Sequence, residues 1–149
     1  MNVLYRNFTL ADYAQCVEIW KENEQYTESK SLHCMEKAIA ISPNFQWVAE
    51  NDGKIVGVIA ASFDGRVVFV YGLSVKKEFQ RMGIGSKLIK IVEEEAVKNE
   101  ATEVLFFTKK TRENAVKFYS KRNYKHQEQH AVFCKNLEDK SYITVKQYN

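Results

Sequence analysis

Proline occurs once in this sequence of 149 residues and glycine six times, so neither a collagen-like nor a proline-rich disordered chain is in question. Cysteine is scarce and odd in number: Cys16, Cys34 and Cys134 lie far apart, form no CxxC pair and have no histidine at metal-ligand spacing. The simple reading is a reducing cytoplasm, with no disulfide framework and no structural metal. No run approaches the ~20 apolar residues of a membrane-spanning helix. Residues 1–10 alternate polar and apolar side chains, which argues against a signal peptide. Basic residues exceed acidic ones by only three, without the clustered lysine and arginine stripe of a nucleic-acid binder.

What is present suits one ordered domain spanning residues 1–149. Apolar residues make up 45% of the chain and aromatic residues 13%, enough for a core, and the 28% that are charged are mixed in sign. Residues 3–8 read as a strand, and Thr9 with Asp12 three positions on reads as a capping-box variant opening a helix. In that helix Tyr13, Cys16, Val17 and Trp20 fall on one face. Residues 21–30 form a polar stretch. A second helix follows, capped by Ser31, with Leu32, Met35 and Ile39 on one side, until Ser42-Pro43 stops it.

Three β-rich runs come next, at residues 47–50, 54–63 and 66–75. Asp64-Gly65 between the last two predicts a type I′ turn and a tight antiparallel hairpin. Both of its strands carry apolar residues on both faces, which predicts a central place in the sheet. Ile84, Leu88, Val92 and Ala96 recur every four residues and mark a helix over 83–99, with Asn99 suited to its end. Residues 103–108 read as a strand. Thr111 caps a helix in which Ala115, Val116, Phe118 and Tyr119 face inward and which closes at Asn123. Residues 131–135 and 142–145 read as strands of unreadable pairing. The order is βααβββαβα plus C-terminal strands, a mixed α/β domain.

The chemistry concentrates between Val75 and the long helix. Gly83 and Gly85 at a helix start let the backbone bend so that unpaired N–H groups point outward at the positive end of the helix dipole, where phosphate oxygens bind. The same glycines could instead only permit a tight strand-to-helix connection. A dinucleotide fingerprint would need a third glycine where Leu88 stands, and a Walker loop would need GxxxxGK before Ser or Thr. Neither spacing is met, although Gly85-Ser86-Lys87 echoes the second.

The segment Gln80-Arg81-Met82-Gly83-Ile84-Gly85 resembles the Gln/Arg-x-x-Gly-x-Gly/Ala signature of the GNAT acetyltransferases. Tyr71-Gly72-Leu73-Ser74-Val75 is similar to that family's central strand. Residues 114–124, beginning Asn114-Ala115-Val116 and including Phe118-Tyr119, resemble its N-x-x-A-x-x-F-Y-x-x-x-G-F segment, with Asn123 in place of glycine. The resemblance covers about residues 3–137. It implies that acetyl-CoA is the acetyl donor, with its pyrophosphate on the turn from Gln80 to Ser86 and its pantetheine arm beside Leu73 and Val75. It implies that the strand ending at Val75 and the strand over 103–108 splay apart to admit that arm, and that the backbone N–H near Leu73 polarises the thioester carbonyl. By the same resemblance Tyr119 is the general acid for the departing thiolate, where the motif-free reading is a core aromatic. Asn114 either bonds the cofactor or caps its helix. Arg81 is the cation best placed for the phosphates among Arg81, Lys87, Lys117 and Lys121. The resemblance also allows a homodimer paired through C-terminal strands.

The implied acceptor is a primary amine on a small molecule, a peptide N-terminus or a lysine. No general base stands out: Tyr71, Asp64 and His33 are candidates without a distinguishing spacing. Glu22, Glu24 and Glu28 would attract a cationic amine or simply face water. The absence of an evident base keeps open a non-catalytic acyl-CoA sensor.

Overall fold

A computed structural model describes residues 1–137, which gather into two compact units, one of Met1–Phe107 and one from Thr108 onward. In the first unit β1 (Val3–Asn7) leads through a 3-10 turn into α1 (Tyr13–Glu22), followed by α2 (Leu32–Ile41). Then come β2 (Gln46–Asn51), β3 (Lys54–Phe63), β4 (Val67–Val75), α3 (Ile84–Lys98) and β5 (Glu103–Phe106). The second unit holds α4 (Glu113–Ser120). The helix and strand order is the βααβββαβα read from the sequence.

The five strands lie in the order β1-β2-β3-β4-β5, antiparallel except for the β4–β5 pair, which is parallel. Strand β3 is central and buried on both faces, as its two-sided apolar pattern required. Cys16, Ile19 and Trp20 of α1 and Met35 of α2 pack with Val48, Ile55, Val58 and Ala60 on one face. On the other, Ile84 and Leu88 of α3 press onto Gly57, where an added Cβ would stand 3.0 Å and 3.2 Å from their methyl groups. The four-residue period of α3 is borne out: Ile84, Leu88, Ile89, Val92 and Ala96 are all buried. Entry into α1 is fixed by Asp12, whose carboxylate accepts from the Thr9 N–H at 2.9 Å and from both Arg6 guanidinium nitrogens at 2.8 Å.

Several local expectations fail for identifiable reasons. The type I′ geometry lies at Asp52-Gly53, where both residues have positive φ (49° and 75°) and Asn51 pairs with Lys54. At Asp64-Gly65 only Gly65 is left-handed. There the Asp64 carboxylate accepts from the N–H groups of Arg66 and Val67, building a wider turn that delays β4 to Val67. Those N–H groups hold the Asp64 carboxyl down at about 2. Of the three residues expected on the inner side of α2, Met35 is buried and Ile39 packs against the core, while Leu32 is exposed. The left-handed residue after α3 is Glu100, not Asn99. Strand β5 stops at Phe106, and α4 is capped at Arg112 without a side-chain bond, so Thr111 is not its cap. Asn123 does take the left-handed conformation expected of it, with φ 66°. Residues 131–135 form no strand, and 142–145 lie outside the described residues.

Candidate active site

Strand β4 is the element on which the site is built. Its register with β3 pairs Ala60 with Gly72 and Ala61 with Val70, leaving Tyr71 as the extra residue of a β-bulge. Behind the bulge β2 has run out, and the buried Gln46 side chain replaces it. Its amide accepts from the Ala61 N–H at 3.1 Å and donates to the carbonyls of Ala61 and of Ser42. The sequence marked Gln46 only as a residue next to a strand.

The other edge of β4 is the informative one. Parallel pairing with β5 runs from Val67↔Glu103 to Val70↔Phe106 and stops, while β4 continues to Val75. Over residues 71–75 no strand pairs with that edge among the described residues. The N–H of Lys76 donates to Val56 of β3 at 2.8 Å, so peptide planarity turns the Val75 carbonyl away from β3. Strand alternation then turns the N–H groups of Leu73 and Val75 to the same unpaired edge. The Val75 carbonyl receives two side-chain amides, Asn23 Nδ2 and Gln80 Nε2, each at 2.9 Å. Asn23 also donates to the buried Ser74 hydroxyl at 2.7 Å.

After Val75 a 3-10 turn, Lys77–Phe79, leads to the glycine segment. Arg81 (φ 63°) and Gly83 (φ 85°) are both left-handed, and Gly83 is the N-cap of α3. Two such residues reverse the chain so that the α3 N-terminus, with Ile84, Gly85 and Ser86 in its first turn, begins directly behind β4. The first N–H groups of a helix have no intrahelical acceptor, and a fifteen-residue helix places its positive dipole end there. Arg81, Met82 and Gly83 are exposed, Ile84 is buried, and Gly85 and Ser86 are intermediate.

Lys30, read from sequence as the end of a solvated stretch, is only 5% exposed. Its Cε lies 3.1 Å from where a Cβ on Gly72 would stand, so the glycine of the bulge is what admits the lysine. Nothing in the periodicity of residues 21–30 signals this, because a single 3-10 turn (Glu28–Lys30) has no repeat to read. Glu22 accepts from the Lys77 N–H at 3.1 Å, and Glu24 and Glu28 are exposed. Among the base candidates, Tyr71 is 51% exposed and stacks edge-on with Phe69 at 4.6 Å. His33 is exposed on α2, and Asp64 lies in the turn at the opposite end of β4.

In the second unit, Tyr119 sits on the last turn of α4, half-buried, with ring contacts to Phe118 at 5.3 Å and Tyr124 at 6.0 Å. Burial pushes its phenol up to about 12 against a weak opposing pull from Arg122. Asn114 is an exposed residue of the first turn of α4. Among the described residues no cluster of three His, Cys, Asp or Glu side chains could hold a metal.

Among the described residues, a mixed five-stranded sheet whose bulged fourth strand keeps one edge unpaired, flanked by helices, defines an α/β fold. The model of the acetyltransferase (GNAT) family matches residues 13–124, and the chain belongs to that family. An uncharacterized N-acetyltransferase of Methanocaldococcus jannaschii is 33% identical over 61% of this chain, a match spanning 57% of that relative's length. Two solved structures share the fold. An aminoglycoside acetyltransferase from an uncultured soil metagenomic sample, in complex with trehalose, has a TM-score of 0.74 at 23% identity, covering 91% of this chain and 96% of that one. The PaiA N-acetyltransferase of Thermoplasma acidophilum, in complex with coenzyme A, has a TM-score of 0.72 at 18% identity, covering 82% and 89%.

Proposed function

We propose that this chain, as one domain, transfers the acetyl group of acetyl-CoA to a primary amine by direct attack. The observation that carries the reading is the edge of β4 left unpaired from Tyr71 to Val75 among the described residues, followed after the Lys77–Phe79 turn by a left-handed glycine that opens α3. An extended amide-bearing arm fits such an edge, because the edge offers main-chain N–H groups at strand spacing and no strand among the described residues occupies it. The α3 N-terminus supplies N–H donors for the pyrophosphate, from Gly83 to Ser86, with Arg81 adding a cation and Gln80 linking the turn to the strand. Structures of the same fold hold coenzyme A, which supports the ligand class without fixing it for this chain.

Bound acetyl-CoA supplies an acetyl thioester, whose carbonyl carbon accepts the amine nitrogen as the C–N bond forms and the C–S bond breaks. Leu73 offers its N–H to the carbonyl oxygen, where negative charge grows as the amine attacks. Tyr119 gives its proton to the departing sulfur; with its phenol pushed up to about 12 it is fully protonated at neutral pH. Asn114 steadies the cofactor from the first turn of α4. No carboxylate stands between Arg66 and Val75, and the Asp64 carboxyl, held near 2, is a poor base, so the attacking amine sheds its proton to water. The amine substrate class draws support from the aminoglycoside acetyltransferase of the same fold. Three free cysteines and no disulfide suit a cytoplasmic setting.

The experiment is CoA release from acetyl-CoA against a panel of amines: an aminoglycoside, glycinamide, N-acetyl-lysine amide and spermidine. Amine-dependent release above hydrolysis is expected. Tight acetyl-CoA binding with no release against any amine would instead identify a non-catalytic acyl-CoA sensor.

A further inference from the structure

Parallel pairing of β4 with β5 ends at Val70↔Phe106, so Tyr71 and Phe107 are the first residues beyond the last pair, one on each side of the opening. Both are aromatic, and both rest on the same ring. The centroid of Phe69 lies 4.6 Å from that of Tyr71 and 4.7 Å from that of Phe107, with each pair of rings near-perpendicular. Edge-to-face pairs at this spacing hold one another, so the three rings form one floor at the mouth where the strands part. Tyr71 is 51% exposed and Phe107 60%, so the floor is open to a ligand. A single exposed aromatic needs no explanation, but three in contact make a contiguous apolar surface.

The register fixes which side of the sheet the floor occupies. Phe69 pairs with Ser62 and Gly72 with Ala60, residues two apart on β3 and therefore on one face, the face where Lys30 of the α1–α2 connection lies against Gly72. Gly57, an odd number of residues from Ser62, faces the other way, and there α3 packs. On the proposed reading the pyrophosphate sits at the start of α3, so the cofactor reaches the edge of β4 from the α3 face. The opposite face is left for the acceptor. The rings stand on it, with Tyr71 two residues before Leu73, roughly 6–7 Å along the strand.

We propose that Phe69, Tyr71 and Phe107 seat the body of the acceptor, and that the acceptor is a primary amine joined by a short carbon link to an aromatic or branched apolar group. The inference rests on the acetyltransferase reading and names the substrate class of that same site. Rings open to water hold an ammonium only weakly. No carboxylate stands on β4 from Val67 to Val75 or on β5 from Val104 to Phe106 to reinforce such a contact. An apolar group instead removes both its own surface and that of the rings from water. Two sources present this chemistry: a small arylalkyl amine, and a peptide N-terminus whose first side chain is bulky and apolar.

The test measures kcat and KM at saturating acetyl-CoA for two matched pairs of acceptors. One pair is 2-phenylethylamine against ethanolamine; the other is a tetrapeptide beginning with phenylalanine against the same peptide beginning with serine. Wild type is compared with Phe107→Ala, Tyr71→Ala and Tyr71→Phe. In wild type, kcat/KM should favour the apolar member of at least one pair about tenfold or more, and the pair that shows the preference identifies the source. Phe107→Ala and Tyr71→Ala should each raise KM for that apolar acceptor about fivefold or more, while KM for its polar counterpart and the affinity for acetyl-CoA stay within about twofold. Tyr71→Phe keeps the ring and should match wild type. Equal losses for both members of a pair would mark a merely structural role and overturn the proposal, as would a wild type with no preference in either pair. A Phe107→Ala protein that sediments as a monomer where wild type is a dimer, with its acceptor preference unchanged, would show that the rings face a second copy instead. If wild type binds no acetyl-CoA, the acetyltransferase reading fails by itself. Calorimetry of the two apolar acceptors with wild type and Phe107→Ala then decides the floor: binding lost in the variant upholds it, and equal binding or none overturns it.

Discussion

Tyr119 illustrates how a residue's chemistry follows from its surroundings. A phenol loses its proton near 10 in water, and burial on the last turn of α4 moves that to about 12 because the phenolate would be desolvated. Two consequences follow. The phenol is still protonated at pH 9, so on the proposed mechanism turnover should show no alkaline fall assignable to Tyr119 between pH 7 and 9. The folded-state value is also raised above the unfolded one, so the linked stability is fully present below pH 10 and drains away as pH rises from 10 toward 12. Tyr119→Phe removes the proton and keeps the ring, so kcat should fall about 10²-fold or more, the usual contribution of a positioned acid, with acetyl-CoA affinity nearly unchanged. Steady-state kinetics beside a binding isotherm make the check; an unchanged kcat removes the role. Tyr119 was legible in the sequence through its Asn114-to-Tyr124 segment. The burial of Lys30 was not: it falls in a charged stretch whose composition suits solvent, and only the fold, by bringing a glycine opposite, gives the lysine a place to lie.

Elements with a period were read well, and elements set by single hydrogen bonds were not. The α3 repeat and the two-sided apolar pattern of β3 each report burial directly, so both emerged with their faces correct. The turn at Asp64-Gly65 was misread because the dipeptide also permits the carboxylate to cap two N–H groups, and that bond wins over the tighter geometry. The unpaired edge of β4 could not be read from side chains at all, since it consists of main-chain groups whose partners end elsewhere. At Gly83 the conformation is the constraint, not the space: φ is 85° and nothing lies within 4 Å of a Cβ built there. Gly83→Ala should therefore cost about 1 kcal/mol of stability through backbone strain. It should weaken acetyl-CoA binding further by tilting the first turn of α3. Calorimetry with and without ligand separates the two effects. A melting temperature equal to wild type would mean that this turn does not need its left-handed residue.

At the scale of the molecule, the chain orders Met1–Phe107 around a five-stranded sheet and carries α4 in a second compact unit. Family membership accounts for that order of elements, and the motifs that announced it lie in both units, the glycine turn in the first and the Tyr119 helix in the second. On the proposed reading the ligand class rests on the main-chain geometry of β4 and the start of α3, whereas the choice of amine falls to the sheet face that carries α1, α2 and their connection, where the sequence pattern is thinnest. The central claim is that the edge of β4 and the start of α3 together hold acetyl-CoA. Thermal melting of the purified protein with acetyl-CoA, and with ATP and NAD as controls, tests it most directly. A ligand that binds only the folded state adds about 2.7 kcal/mol at one hundred times its dissociation constant. A rise of several degrees with acetyl-CoA and none with ATP or NAD is the predicted result; no rise, or a rise with ATP alone, would contradict it.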